Sequence, residues 1–137
     1  MDWEHFPHDA DIGVRGRGLT LAEAFAAAGL ALTAVVTDPA GVREERRVGI
    51  ACAAADPELL LFEWLNALVY EMDTQRLLFG RYEVEIAGGT LRASAWGEAV
   101  CAERHRPAVE VKGATCTGLR VAREADGRYV AECVVDV

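Results

Sequence analysis

Two start signals for α-helices limit the fold of this chain more than any other feature of its sequence. The first lies at Thr20, where Glu23 follows three residues later, the spacing of a capping box. Apolar residues then recur at helical spacing, at Leu21, Ala24, Phe25, Ala28, Leu32, Val35 and Val36. Because Pro39 disfavours helical geometry at the residue before it, we predict that this helix ends near Thr37.

The second start signal is the run Asp56-Pro57-Glu58. Asp56 can cap the helix, Pro57 suits the first helical position, and Glu58 complements the positive end of the helix dipole. The apolar stripe continues through Leu61, Trp64, Leu65, Leu68 and Met72. Since residues 59–62 are apolar on more than one face, we predict that this helix is deeply packed.

The rest of the chain is typical of β-strands. Apolar and polar residues alternate over 82–86 and 91–95, and Gly88-Gly89 between them offers a tight turn. Asp126-Gly127 is a strong signal for a type I′ hairpin, in which both central residues need a positive φ. We predict strands at 3–6, 12–16, 47–53, 82–86, 91–100, 119–125 and 128–135. The predicted fold class is α+β, with two helices packed on one face of a mixed, largely antiparallel β-sheet.

The chain is acidic, with 14 basic and 22 acidic residues among 137 and a formal net charge of −8. This balance argues against a large nucleic-acid footprint, which needs clustered Lys and Arg. It fits a cation site or a basic protein partner, and it also fits a role in solubility alone. The length fits one domain over residues 1–137, and an apolar fraction of 52% excludes a disordered chain.

The four cysteines form no C-x-x-C motif, so a zinc or redox site is not expected, and we predict a reduced, intracellular protein. The first residues lack the basic and apolar regions of a secretion signal. The longest apolar-rich stretch, residues 24–36, is too short to span a bilayer, so no membrane association is predicted.

Two acidic clusters are candidate metal sites. His8, Asp9 and Asp11 precede a predicted strand, and carboxylates there can bind Ca²⁺ or Mg²⁺, although the cluster also fits an ordinary polar turn. At the other end, Asp136 and the α-carboxylate of Val137 are adjacent acids, which repel unless something neutralises them. A frayed terminus is the alternative, but the apolar run before Asp136 favours an end that is docked in a sheet.

Other polar positions carry weaker signals. Lys112 fits a solvent-facing strand residue as well as a functional one, and Arg104, His105 and Arg106 are expected to form a solvated basic loop. No nucleophile elbow, P-loop or kinase signature is present, and no general base has an evident orienting partner. A metal-dependent hydrolase is therefore disfavoured.

Six motifs, in order along nearly the whole chain, resemble the archease family. They are His8-Asp9-Ala10-Asp11-Ile12-Gly13, Thr20-Leu21-Ala22-Glu23-Ala24-Phe25, Leu59-Leu60-Leu61-Phe62-Glu63-Trp64-Leu65-Asn66, Trp96-Gly97-Glu98, Glu110-Val111-Lys112-Gly113-Ala114-Thr115 and Val135-Asp136-Val137. The resemblance implies a two-layer archease-like fold and a small cytoplasmic protein that is not an enzyme. The resemblance further implies that such a protein would activate an RtcB-type RNA ligase in tRNA splicing and RNA repair, promoting guanylylation and multiple turnover.

The resemblance also implies a divalent metal, with Ca²⁺ expected, held by Asp11, Asp136 and the carboxylate of Val137. Lys112 would belong to the functional surface, with Asp9 and His8 beside the site, and RNA would be contacted only through the ligase. The alternative is a chaperone or binding module for an RNA-modifying enzyme, without a role in its chemistry. Two positions depart from the family pattern: Asp9 stands where Thr is usual, and Thr117 where many members have His.

Overall fold

Eight strands form two separate sheets in the computed structural model, which describes residues 1–137. The strands are β1 (Asp2–His8), β2 (Asp11–Gly18), β3 (Arg46–Ala53), β4 (Leu77–Ala87), β5 (Thr90–Ala99), β6 (Gly113–Ala114), β7 (Arg120–Arg123) and β8 (Tyr129–Asp136). Sheet A has the spatial order β1-β2-β8-β6, with β7 also paired to β8, and sheet B has the order β3-β5-β4. Every pairing is antiparallel.

The helices are α1 (Leu21–Val36), α2 (Pro57–Gln75) and a single turn, α3 (Ala102–His105), with a 3₁₀ turn at Pro39–Gly41. Both predicted start signals are confirmed. The Thr20 hydroxyl accepts a hydrogen bond from the Glu23 N–H at 3.1 Å, and the Asp56 carboxylate accepts one from the Leu59 N–H at 2.9 Å. These bonds satisfy amides that a helix start leaves without an intrahelical partner.

The hydrophobic core lies where α1 packs against β2 of sheet A and β4 of sheet B. Its largest side chains are fully buried, and their polar atoms are satisfied inside it. The Trp64 indole N–H donates to the Phe25 carbonyl at 2.9 Å, and the Tyr82 hydroxyl lies 2.7 Å from that of Thr33. No buried side-chain N or O atom lacks a partner, so burial of these groups carries no unpaired polar penalty.

One close approach explains the small residues of α1. A Cβ atom at Gly16 of β2 would lie only 2.3 Å from the Ala24 carbonyl oxygen and the Ala28 amide nitrogen. The strand and helix backbones are therefore nearly in contact, which only glycine permits on the strand side. This contact fixes β2, and the residues at its start, relative to α1.

The predicted α+β class is confirmed, with the strands divided between two antiparallel sheets instead of one mixed sheet. The predicted type I′ turn at Asp126-Gly127 is wrong. Of the two, only Gly127 has a positive φ, of +88°, and its N–H donates to the Glu124 carbonyl at 2.9 Å. The loop is thus a turn followed by a left-handed glycine, which relieves Asp126 of the strained conformation.

No helix combines the length and the apolar character that crossing a bilayer requires.

Candidate functional site

Neighbouring strands of sheet A align Asp11 and Asp136 near Val137, and we call these two aspartates the acidic row. His8 of β1 pairs with Asp11 of β2 across their hairpin. The β2–β8 ladder continues to the residues next to Asp11 and Asp136, which places these two aspartates opposite each other. On its other side Asp136 pairs with Gly113 of β6. The register therefore brings together the two acidic motifs from opposite ends of the sequence.

Asp11 and Asp136 share the outer face of sheet A. Side chains alternate between the faces of a strand, and both Val14 and Val135 are fully buried in the core. Asp11, an odd number of residues before Val14, and Asp136, which follows Val135, therefore point away from the core. Asp11 is half-buried, and Asp136 is exposed.

No basic side chain of this protein neutralises the two aspartates. Neither forms a salt bridge, and the next cationic residue on the same face of β2 is Arg15. The Arg15 guanidinium is already bound to Glu132, with an Nε–Oε2 distance of 2.6 Å, and to Glu4 at 2.9 Å. Since like charges on directly opposite strand positions repel, this end of the sheet favours a cation from outside the chain.

The backbone of Lys112 lies beside that of Asp136. Its backbone N–H donates to the Asp136 carbonyl at 2.8 Å, and its side chain is exposed and forms no salt bridge. The segment 112–114 is attached to α2 by Asn66, whose side-chain oxygen accepts a hydrogen bond from the Ala114 N–H at 2.9 Å. Sequence reasoning did not single out Asn66, although it closes the second helix motif of the family resemblance.

Asp9 occupies the turn between β1 and β2 with a φ of +51°, in the left-handed region. Aspartate tolerates this conformation better than most residues, and a β-branched side chain such as Thr does so poorly. The backbone thus gives a reason for Asp at this position that is independent of its charge.

The predicted ligand set is made of oxygen atoms only. No three His, Cys, Asp or Glu side chains of the chain group together as a metal site would require. The proposed ligands are two side-chain carboxylates, from Asp11 and Asp136, and the α-carboxylate of Val137. Such donors suit a hard cation, and Ca²⁺ takes about six to eight oxygens. These residues fit the ion chemically and leave part of its coordination to carbonyl groups, water or a partner.

A buried ionic network at Glu98 corrects the expectation of a solvated basic loop. The Glu98 carboxylate is almost fully buried and accepts hydrogen bonds from the Arg104 guanidinium, the Arg43 N–H at 2.7 Å and the His105 ring at 3.0 Å. These bonds, led by that from Arg104, lower the pKa of Glu98 from 4.5 to about 2. Of the three predicted loop residues, only Arg106 is both exposed and without a salt bridge.

The tautomer of His105 follows from its two contacts. Its Nδ1 atom accepts the Cys101 N–H at 2.7 Å, so the proton of the neutral ring lies on Nε2 and is donated to Glu98. Both ring nitrogens are therefore engaged, and His105 is not free to act as a general base. Its role is to attach the α3 turn to the end of β5.

Comparison with known proteins identifies the family of this chain. A model of the Archease protein family matches residues 3–137. The chain belongs to the archease family. "Protein archease" of Pyrococcus furiosus is 39% identical over 139 residues, with 98% of each chain covered. "Protein archease" of Methanopyrus kandleri is 35% identical over 141 residues and 100% of both. The solution structure of Methanobacterium thermoautotrophicum protein 1598 superposes with a TM-score of 0.85 at 30% identity, covering 98% of both chains.

Thr117, one of the two positions that depart from the pattern of the family resemblance, lies close to the acidic row. Its carbonyl accepts the Val134 N–H at 3.2 Å, and Val134 precedes Asp136 by two residues on β8. A side chain at this position is therefore a neighbour of the acidic end. Threonine offers no imidazole there, so a role that needs a histidine at this position is not expected of this chain.

Proposed function

We propose that this protein activates an RtcB-type RNA ligase by promoting guanylylation of the ligase's active-site histidine and multiple turnover during tRNA splicing. It acts as a protein cofactor and not as an enzyme, and it contacts RNA only through the ligase. Membership of the archease family supports the proposal. The observation that carries it is the alignment of Asp11 with Asp136, because it joins in one place the two acidic motifs of the family resemblance.

Asp11, Asp136 and the carboxylate of Val137 would hold a divalent cation, with Ca²⁺ as the first candidate. When bound, such an ion supplies positive charge that offsets the negative charge of phosphate oxygens. The uncompensated carboxylates of this chain favour its binding, and His8 and Asp9 border the same edge of the sheet. The acidic end can also act by binding one conformation of the ligase more tightly than another.

Lys112 would provide the complementary charge. Its exposed ammonium group is carried on the backbone segment that is hydrogen-bonded to Asp136, so it stands beside the acidic row without neutralising it. A lysine in this position can bind a phosphate oxygen or a carboxylate of the ligase while the acidic residues keep their own partners.

The test is a ligation assay with limiting cognate ligase, GTP and RNA ends. Wild-type protein should accelerate multiple turnover. Asp11→Ala and Asp136→Ala should each reduce the acceleration by about ten-fold or more, since the loss of even an outer-shell partner of a metal typically costs that much. Glu63→Ala, which removes an exposed carboxylate from α2, is the matched control and should behave as wild type. Unchanged turnover on addition of the wild-type protein would refute the proposal.

A second candidate function is a chaperone or binding module for an RNA-modifying enzyme. The lack of three grouped metal-binding side chains favours it, because a binding role needs no complete metal site. It predicts that the protein changes the yield or oligomeric state of its partner. Asp11→Ala and Asp136→Ala would then leave that effect intact, whereas ligase activation requires both residues.

A further inference from the structure

An apolar cleft lies between the C-terminal half of α2 and the segment 100–111. Seven of its ten lining residues are hydrophobic, among them Met72, Leu77 and Val111, and its volume is about 170 Å³. An engineered cavity of about 150 Å³ in another protein admits benzene, so this cleft has room for one leucine or aromatic side chain.

The outer walls of the cleft are exposed valines. Val100 and Val109 are 41% and 40% exposed, and both line it. Single exposed apolar residues are ordinary on protein surfaces, but two that line one concave site together with buried apolar residues are typical of an interaction surface.

Two carboxylates border the same cleft, Asp73 on α2 and Glu110 on the opposite wall. Both are exposed, and neither forms a salt bridge, although Arg76 borders the adjoining opening. Partial burial, with the charge of Glu110 as a further cause, raises the pKa of Asp73 above its ordinary value. The rim therefore keeps a net negative charge that a basic residue from outside would neutralise.

One wall of the cleft is adjacent in sequence to the candidate site. Val111 lines the cleft and is buried, and the next residue, Lys112, is hydrogen-bonded through its backbone to Asp136. A partner that contacts Val111 would therefore touch the residue that precedes Lys112 in the chain.

We infer that this cleft is the docking site for a protein partner that inserts one large apolar side chain and places a lysine or arginine against Asp73 and Glu110. The inference rests on the proposed function, in which that partner is the RtcB-type ligase. The apolar insertion gives affinity, since a buried anchor in a pocket commonly dominates an interface. The rim carboxylates give orientation and speed of association.

The test measures the Kd of the full-length protein for its cognate ligase by calorimetry, with folding checked by circular dichroism. Val100→Asp and Val109→Asp should each weaken binding by about ten-fold or more, as expected for an anchor pocket. Leu59→Asp is the matched control, because Leu59 is 43% exposed and lines none of the clefts described, and its Kd should stay within about two-fold of wild type.

Charge reversal provides a second measurement that does not disturb the apolar walls. Asp73→Lys and Glu110→Lys should weaken binding at low salt, and their effect should shrink as NaCl is raised, because exposed charges are screened. The effect of Val109→Asp should persist at high salt. Glu63→Lys, which reverses another exposed charge on α2, should have little effect at either salt concentration.

The outcomes separate the two proposals. If wild-type protein activates the ligase and the valine variants bind it as tightly as the Leu59 control, the inference is overturned while the proposed function stands. If wild-type protein neither binds nor activates the ligase, both are overturned. A dimer of this chain that forms without ligase and is dissociated by Val109→Asp would assign the cleft to a second copy, and that also overturns the inference.

Discussion

Removal of one charge from the acidic row should change the stability of the protein in opposite directions with and without a metal. Asp11→Asn and Asp136→Asn preserve the shape of the side chain and remove its charge. Opposite residues on antiparallel strands have Cβ atoms about 4.5–5.5 Å apart, so the two charges lie roughly 6 Å apart. At that distance their repulsion in water is about 0.7 kcal/mol. In a metal chelator, each variant should therefore be more stable than wild type by about 0.5–1 kcal/mol.

With Ca²⁺ the order should invert. A ligand that binds only the folded state adds about 2.7 kcal/mol to the free energy of unfolding when its concentration is a hundred times its Kd. Wild type should gain this stabilisation. Each Asn variant, which has lost one of few carboxylate ligands, should gain little of it and should become the less stable protein.

The assay is urea unfolding followed by tryptophan fluorescence, with EDTA and then with saturating CaCl₂. The buried Trp64 reports on the core, and Glu63→Gln serves as a control because its carboxylate is exposed and far from the row in sequence. If neither Asn variant is stabilised in EDTA, the two aspartates do not repel each other as the register implies. If Ca²⁺ stabilises the variants as much as wild type, Asp11 and Asp136 are not its ligands.

Three further predictions concern the fold. Glu98→Gln should lower the free energy of unfolding by about 3 kcal/mol at neutral pH, because the pKa of Glu98 falls from 4.5 to about 2 on folding. The wild-type protein should lose this advantage as the pH drops from 4.5 towards 2. Urea unfolding at several pH values measures both effects. Asp9→Thr should cost about 1 kcal/mol, because a β-branched residue is strained at a φ of +51°, whereas Asp9→Asn should be neutral in thermal unfolding. Gly16→Ala should destabilise by about 1–3 kcal/mol or more, since its Cβ meets backbone atoms of α1 at 2.3 Å; Gly49→Ala, with nothing within 4 Å, should not, and equal melting temperatures would contradict this.

The elements that sequence reasoning predicted well are those that local chemistry determines. Thr20 and Asp56 cap helices through amides only three residues away, so the signal and the structure lie in the same short segment. The division of the strands into two sheets depends instead on which distant strands pair, and alternation alone does not specify a partner. The turn type at Asp126-Gly127 was predicted wrongly, because this dipeptide also suits a three-residue loop that needs only one residue with a positive φ.

The candidate site was predictable only in part. From local sequence alone, Asp11 and Asp136 belong to two unrelated acidic clusters. Only the family resemblance predicts that they form one site, and the β2–β8 register places them opposite each other. The Glu98 network was missed because the sequence around Glu98 does not show which donors its carboxylate contacts. A buried carboxylate on a strand can be predicted only when those hydrogen-bond partners are known. The backbone donor to Glu98, Arg43, lies 55 residues away in sequence. The one available signal was the nearby pair Arg104 and His105.

The position of β8 has a consequence for how the protein is made. This strand follows every other element in the chain, yet it lies in the interior of sheet A between β2 and β6. During synthesis the β1–β2 hairpin emerges from the ribosome before β8 and remains, with the free edge of β2 unpaired, until residues 129–136 are available. An unpaired edge is a template for wrong association, and pairing over so long a sequence separation is slow. The nascent chain is therefore most exposed to aggregation just before β8 is inserted, and any truncation before β8 should make that state permanent.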